Sequence, residues 1–288
     1  MPLVSAKTIL AHAQQHGYAV PLFDIFELTG LEDYFAALED KQSPAITGMY
    51  ATTFEKPLAR PFVAAVRAMA EQTRIPVALM LDHGKSVDQC RAALDMGFTD
   101  VMYDGSKLPF EENVRNTIQV VESARSYGVG VEAELGHVGS GSEYRDYGAK
   151  RQGFTEPPAA EQFVADTGVD MLAVAIGTAH GAYDGDPSID LELLAEIRSR
   201  INIPLVLHGG SGLSEKQFRD AITGGIAKVN VATDLVLTMG QRLRETAAEP
   251  KARFFDMMGV VHAVMRERCG YYLELFGAAG RAEGVGPD

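Results

Sequence analysis

The chain has 288 residues, 46% of them hydrophobic and 23% charged, with a formal net charge of −13. That length is enough for a full buried core, and the composition is that of a globular chain. The acidic balance argues against nucleic acid and anionic membrane surfaces, which attract basic patches, but not against an anionic metabolite held by local backbone amides and a metal ion.

No basic leader opens the chain at Met1-Pro2-Leu3-Val4, and no apolar run approaches the length of a membrane span. The two cysteines, Cys90 and Cys269, lack CxxC or Cys/His spacing and read as ordinary cytosolic thiols. A cytoplasmic protein is expected.

In chain order, a helical pattern over 6–16 comes first, followed by a strand-like run over 19–25. Further apolar runs occupy 44–49, 76–82, 100–104, 130–135, 171–177, 204–208 and 227–231. Between them lie amphipathic patterns over 62–72, 87–96, 110–127, 159–167, 191–200 and 215–223. Gly97, Gly128 and Gly168 punctuate helix ends, Ser86 and Ser214 are N-cap candidates, and Pro44, Pro76 and Pro204 open strands. Eight strand–helix units predict a single-domain (β/α)8 TIM barrel over about 19–245, with its active site at the carboxyl ends of the strands. The helix over 6–16 would cover the barrel bottom. A helical extension over about 246–288 would serve homodimer or homotetramer contacts. The stretch 136–158, dense in Gly, Ser and charge, reads as an active-site loop.

Three histidines each end an apolar run and are each followed by glycine: His83 in Leu81-Asp82-His83-Gly84, His180 in Thr178-Ala179-His180-Gly181, and His208 in Val206-Leu207-His208-Gly209. Three imidazoles brought to one rim make a catalytic zinc site with an open position. Asp82, beside His83, can exchange a proton with substrate if the strand end turns both residues inward. Glu132 and Glu134, two apart on one strand face, are costly inside a barrel without a cation or donors, and read as metal ligands or their supports. Gly209-Gly210-Ser211-Gly212 after the seventh strand, with Asn230, Ala232 and Thr233 after the eighth, form the kind of rim where barrels bind phosphate.

Together these motifs, with Met102-Tyr103-Asp104-Gly105-Ser106, Pro109-Phe110-Glu111-Glu112-Asn113 and Asn230-Val231-Ala232-Thr233, resemble the class II fructose-bisphosphate aldolase family, in particular its tagatose-bisphosphate branch. The resemblance implies zinc on His83, His180 and His208, with Glu134 as an alternate ligand. It implies reversible cleavage of a ketose phosphate to dihydroxyacetone phosphate and an aldehyde. Asp82 would exchange the proton at the C4 hydroxyl, Glu143 would be the loop acid on the dihydroxyacetone phosphate side, and Asn230 would bind the enediolate. Gly181, Gly209, Gly210, Ser211, Asn230, Ala232 and Thr233 would surround the C1 phosphate, and some members hold a monovalent cation (Na+ or K+) near Gly181 and Ser211.

Several positions depart from the family's usual pattern. Asp24 stands for a substrate-facing Asn, Met80 for His, and Asp184 for a Lys that contacts the C1 phosphate. Tyr50 stands for a Ser or Thr at the distal phosphate, and Lys251 for an Arg that reaches a neighbouring subunit. Tyr50, Asp24 and Lys251 all act against a second dianion, so the expected substrate is phosphorylated at C1 only, or carries something other than phosphate at its far end, with fructose or tagatose 1,6-bisphosphate as the alternative. Two other functions compete. A lysine Schiff-base aldolase using Lys228, Lys85 or Lys107 leaves the histidines unexplained. A non-catalytic phosphosugar-binding barrel would be favoured if the zinc ligands or Asp82 were missing, and they are present.

Overall fold

The computed structural model describes residues 3–143 and 153–286. Eight parallel strands close into a barrel in chain order: β1 Val20–Asp24, β2 Ala45–Tyr50, β3 Val77–Gly84, β4 Asp100–Tyr103, β5 Gly130–Leu135, β6 Met171–Val174, β7 Leu205–Leu207 and β8 Ile226–Val231. Nearly every strand residue is buried, because helices cover the outside while side chains fill the inside. The expected TIM barrel is what the chain forms.

Register puts the inward side chains in layers. Val20 pairs with Lys228 and Leu22 with Asn230, so Lys228 and Asn230 share the inner face of β8 on successive rungs. Glu132 and Glu134 do the same on β5, opposite Met171 and Ala173 of β6. A lower polar layer thus holds Glu132 and Lys228, and an upper one, nearer the strand ends, holds Glu134 and Asn230.

The helix Ala6–His16 packs against β3 and β8 at the barrel bottom. Its start is fixed by buried Asp100 of β4, which accepts from the Ser5 hydroxyl and the Ala6 N–H, both at 2.7 Å. Helices Thr233–Ala247 and Phe254–Leu275 follow β8, and the second packs on both the first and the helix Leu31–Lys41. Sequence reading assigns no element to 31–41. Cys90 and Cys269 are free and buried. Among the described residues, no helix is long and apolar enough to cross a membrane.

Candidate active site

The backbone at the end of β3 decides where two reactive side chains point. Neighbouring residues of a regular strand face opposite ways, yet Asp82 and His83 both line a cavity of about 360 Å³ at the barrel mouth. The β3–β4 register shifts between Leu81 and Gly84, and His83 adopts a left-handed φ of 51°. Such a conformation costs roughly 1–3 kcal/mol and persists only where its surroundings over-determine it. Here they do. His83 Nδ1 lies 2.9 Å from Asp104 Oδ2, and Asp104 Oδ1 accepts from the Ser106 hydroxyl at 2.7 Å and its N–H at 3.1 Å.

His208 follows β7 directly and is fully buried. Its Nε2 is 2.9 Å from Glu132 Oε1, and Glu132 Oε2 accepts from the Lys228 ammonium at 2.8 Å. His180 arrives by another route than the expected strand end. β6 stops at Val174, and His180 lies on the two-residue strand Ala179–His180, which pairs with Gly139–Ser140 as a small sheet at the rim. Its Nδ1 is 3.3 Å from the Val138 carbonyl oxygen.

Each imidazole therefore commits one nitrogen to a fixed acceptor and turns the other toward a common point. His83 Nε2 and His208 Nδ1 are 3.0 Å apart, and the three histidines offer ligand atoms all within 4.8 Å of one another. His180 Nε2 and Glu134 Oε2 are buried without a hydrogen-bond partner among the described residues, and Glu134 Oε2 is 3.4 Å from His208 Nδ1. His83, Asp104 and Glu134 form a second such cluster. Imidazole nitrogens oriented by backing acceptors, with a carboxylate beside them, fit a divalent metal ion.

The electrostatics agree with that fit. Burial, then the charge of His83, lowers His180 to about 4 and drives His208 well below its ordinary value. Both present the neutral form that ligates metals. For His83 burial works in the same direction, but Asp82, Asp104 and Glu134 outweigh it and raise it to about 10. Glu134 is raised to about 8 by burial and by Asp104. Asp24 is raised well above its ordinary value by burial and by the nearby charge of Asp82. A proton on His83 offsets part of this crowded negative charge, and a divalent cation offsets more.

Asp82 Oδ1 accepts from the Asn230 amide at 2.8 Å, so the acid and the amide sit as a pair on the cavity wall. Gly181, Gly209, Gly210, Ser211, Ala232 and Thr233 form the end of the cavity beside them. Gly209 has φ 70°, and a Cβ there would collide with the Ala179 carbonyl, so only glycine fits. The Tyr183 hydroxyl donates to the Gly209 carbonyl at 2.5 Å and accepts from the Ala179 N–H at 2.8 Å. Helix Thr233–Ala247 begins at this end, where first-turn N–H groups lack intrahelical acceptors and favour an anion. Asp184 is exposed and does not line the cavity.

Tyr50, Phe26 and Lys107 also line the cavity. The Tyr50 ring lies 5.7 Å from that of His83 and is 37% exposed. Sequence reading does not assign Phe26, Ser106, His137 or Val138 to the cavity, and it weighs Lys107 only as a Schiff-base lysine. Lys228, the strand-interior lysine, is locked to Glu132 beneath the cavity and does not line it. Lys251 is exposed in the turn between the last two helices, away from this cavity. Glu143 ends a short helical turn, Gly141–Glu143, and its side chain lies outside the described residues.

The model of the family described as "Fructose-bisphosphate aldolase class-II" matches residues 4–281. The chain belongs to this family. As a class II aldolase it is a metal-dependent lyase acting on a sugar phosphate. A fructose-bisphosphate aldolase of Geobacillus stearothermophilus is 41% identical over 257 residues, 86% of this chain and 87% of that one. The YdjI aldolase of Escherichia coli K12 superposes with a TM-score of 0.86 at 31% identity, covering 98% of this chain and 100% of the other. A fructose-bisphosphate aldolase of Campylobacter jejuni (TM-score 0.79, 20% identity, 96% of each chain) shares the fold.

Proposed function

We propose that this class II aldolase binds zinc through His83, His180 and His208, and reversibly cleaves a ketose phosphate to dihydroxyacetone phosphate and an aldehyde. The observation that carries the reading is the convergence of three imidazole nitrogens, each ring held from behind by Asp104, Val138 or Glu132. Zinc held by these three nitrogens alone would keep a position free for substrate. When bound, the metal supplies Lewis-acid polarisation of the substrate carbonyl. Glu134, with one buried oxygen unpartnered, is the alternate ligand.

Asp82 takes and returns the proton of the C4 hydroxyl, and Asn230 holds its carboxylate in place while facing the reacting carbons. Glu143 handles the proton on the dihydroxyacetone phosphate side. Gly181, Gly209, Gly210, Ser211, Ala232 and Thr233 cradle the C1 phosphate with backbone amides, hydroxyls and a helix N-terminus. Barrel and C-terminal helices act as one domain, and the chain works as a homodimer or homotetramer.

The preferred substrate carries phosphate at C1 only, or a group other than phosphate at its far end. Tyr50 fills the distal corner with a ring where a small hydroxyl would suit a second dianion, and Asp24 on the same wall leaves a buried oxygen unpartnered. A 1,6-bisphosphate of fructose or tagatose is the second reading, favoured by the name of the Geobacillus relative and by Lys107 at the cavity mouth. Comparing kcat/KM for a ketose 1-phosphate and the matching 1,6-bisphosphate separates them. A preference of about tenfold or more for the bisphosphate, worth about 1.4 kcal/mol, would overturn the first reading.

A further inference from the structure

We propose that the C-terminal helix Phe254–Leu275 braces the phosphate cradle, with Arg268 as a positioning residue that neutralises Asp234 and fixes the first turn of helix Thr233–Ala247. This rests on the reading that Gly209, Ser211, Ala232 and Thr233 hold the substrate phosphate.

The cradle is built from two loop-to-helix junctions, one after β7 and one after β8. Asp234 belongs to the second. Its N–H donates to the Ser211 hydroxyl at 3.2 Å, which ties the two junctions together. Its carboxylate meets Arg268 instead of lining the cavity, with both Nε and Nη2 of the guanidinium 2.8 Å from Oδ2. Arg268 is fixed in turn by stacking, its guanidinium carbon 4.4 Å from the centre of the Tyr271 ring and 5.3 Å from that of Tyr272.

The same helix face also reaches the first junction. The Tyr271 hydroxyl donates to Glu215 at 3.2 Å, and Glu215 opens the helix that follows the glycine-rich loop. Tyr272 packs on Phe218 of that helix, with ring centres 6.2 Å apart. Residues 268, 271 and 272 lie three and four apart, hence on one helix face. That face holds the opening turns of both helices that border the cradle.

Charge gives Arg268 its second task. A carboxylate in a helix's first turn suits the macrodipole, but Asp234 directly follows Thr233, which lines the end assigned to a phosphate dianion. An uncompensated carboxylate so near would repel that dianion. The side chains of Arg268 and Asp234 are only 21% and 27% exposed, so solvent screens them incompletely and the guanidinium is the effective counter-charge.

The test uses the metal-loaded full chain with inorganic phosphate as probe, measured as a competitive inhibitor beside kcat, with thermal unfolding as the check on folding. Arg268→Met should raise the phosphate inhibition constant about tenfold while kcat falls less than about threefold, as expected for a like charge left unscreened. Adding Asp234→Asn should bring the constant back to within about threefold of the parent, since the repelling charge is gone. Arg268→Gln, which keeps a donor without the charge, serves should Arg268→Met fail to fold. An unchanged constant in the single variant, or a double variant as weak as the single, would overturn the proposal. Were the parent itself indifferent to phosphate, and its KM unmoved by Ser211→Ala, the cradle reading would fall and the brace with it.

Discussion

The floor of the cavity and its mouth are built from different materials. Below and around the metal position lie paired groups, buried or largely so: Lys228 with Glu132, Glu132 with His208, Asp104 with His83 and Asn230 with Asp82. At the mouth stand Phe26, Tyr50 and Lys107, exposed side chains on loops and strand ends. In the proposed function, the metal ligands His83 and His208 and the proton carrier Asp82 are held by partners at barrel strand ends, while groups that meet the far end of the substrate can be exchanged without disturbing the barrel. Substitutions below should therefore cost turnover or stability, and substitutions above should trade one substrate for another.

The largest effect is expected at Asp82. Asp82→Ala should keep metal and fold but lose about 10²–10⁴-fold in kcat, the usual contribution of a general acid–base group. Steady-state cleavage assays beside metal analysis check this. Turnover within a few-fold of the parent would remove Asp82 from the chemistry.

Next comes the buried pair below. Lys228→Met leaves Glu132 buried and without its cation, and breaking a buried pair in this way costs about 3–5 kcal/mol of stability. Loosening Glu132 also frees His208, and metal affinity should fall about 10–100-fold. Urea unfolding and metal titration read the two effects. A stable variant with full affinity would mean that the pair supports nothing above it.

Proton release gives a subtler readout of the same floor. In the metal-free chain His83 is raised to about 10 and Glu134 to about 8, so both hold protons at pH 7. Because each folded-state value lies above the ordinary one, the proton stays bound until pH rises through it, and an incoming cation must displace it. Metal binding at pH 7 should release at least one proton, and affinity should climb as pH rises toward about 10. Calorimetry in buffers of different ionisation enthalpy measures this; no release, with affinity flat from pH 7 to 9, would contradict it.

The smallest effect belongs to the mouth. Tyr50→Ser should shift the ratio of kcat/KM toward a 1,6-bisphosphate by about tenfold, with kcat for a ketose 1-phosphate changed little. An unchanged ratio would show that the ring does not shape the distal corner.

What the sequence discloses follows the same division. Strand ends were legible because proline and glycine mark them, and the His83 and His208 motifs fall there. The helix Leu31–Lys41 was not, because its caps carry no recognisable signal. Gly30 gives no side-chain hydrogen bond, and the left-handed residue at the far end is Gln42 rather than glycine. Asp82 and His83 were expected to turn inward together, but the register shift and positive φ that turn them have no sequence signature beyond Gly84. His180 is expected at the end of the sixth barrel strand and stands instead on a rim sheet made with Gly139–Ser140, a pairing across forty residues that local pattern cannot show. Lys228 looked like a rival nucleophile until barrel closure set it against Glu132, 96 residues away. Asp24 stands at the end of the first strand, and its burial beside Asp82, which raises its pKa, follows from barrel closure rather than from any local pattern.

The most direct test of the account is the zinc content and dihydroxyacetone phosphate release of the parent chain and of His208→Ala, measured on the same preparations. The account predicts one zinc per chain in the parent, and loss of both metal and turnover in the variant. A His208→Ala protein that keeps its full metal content and its activity would contradict it.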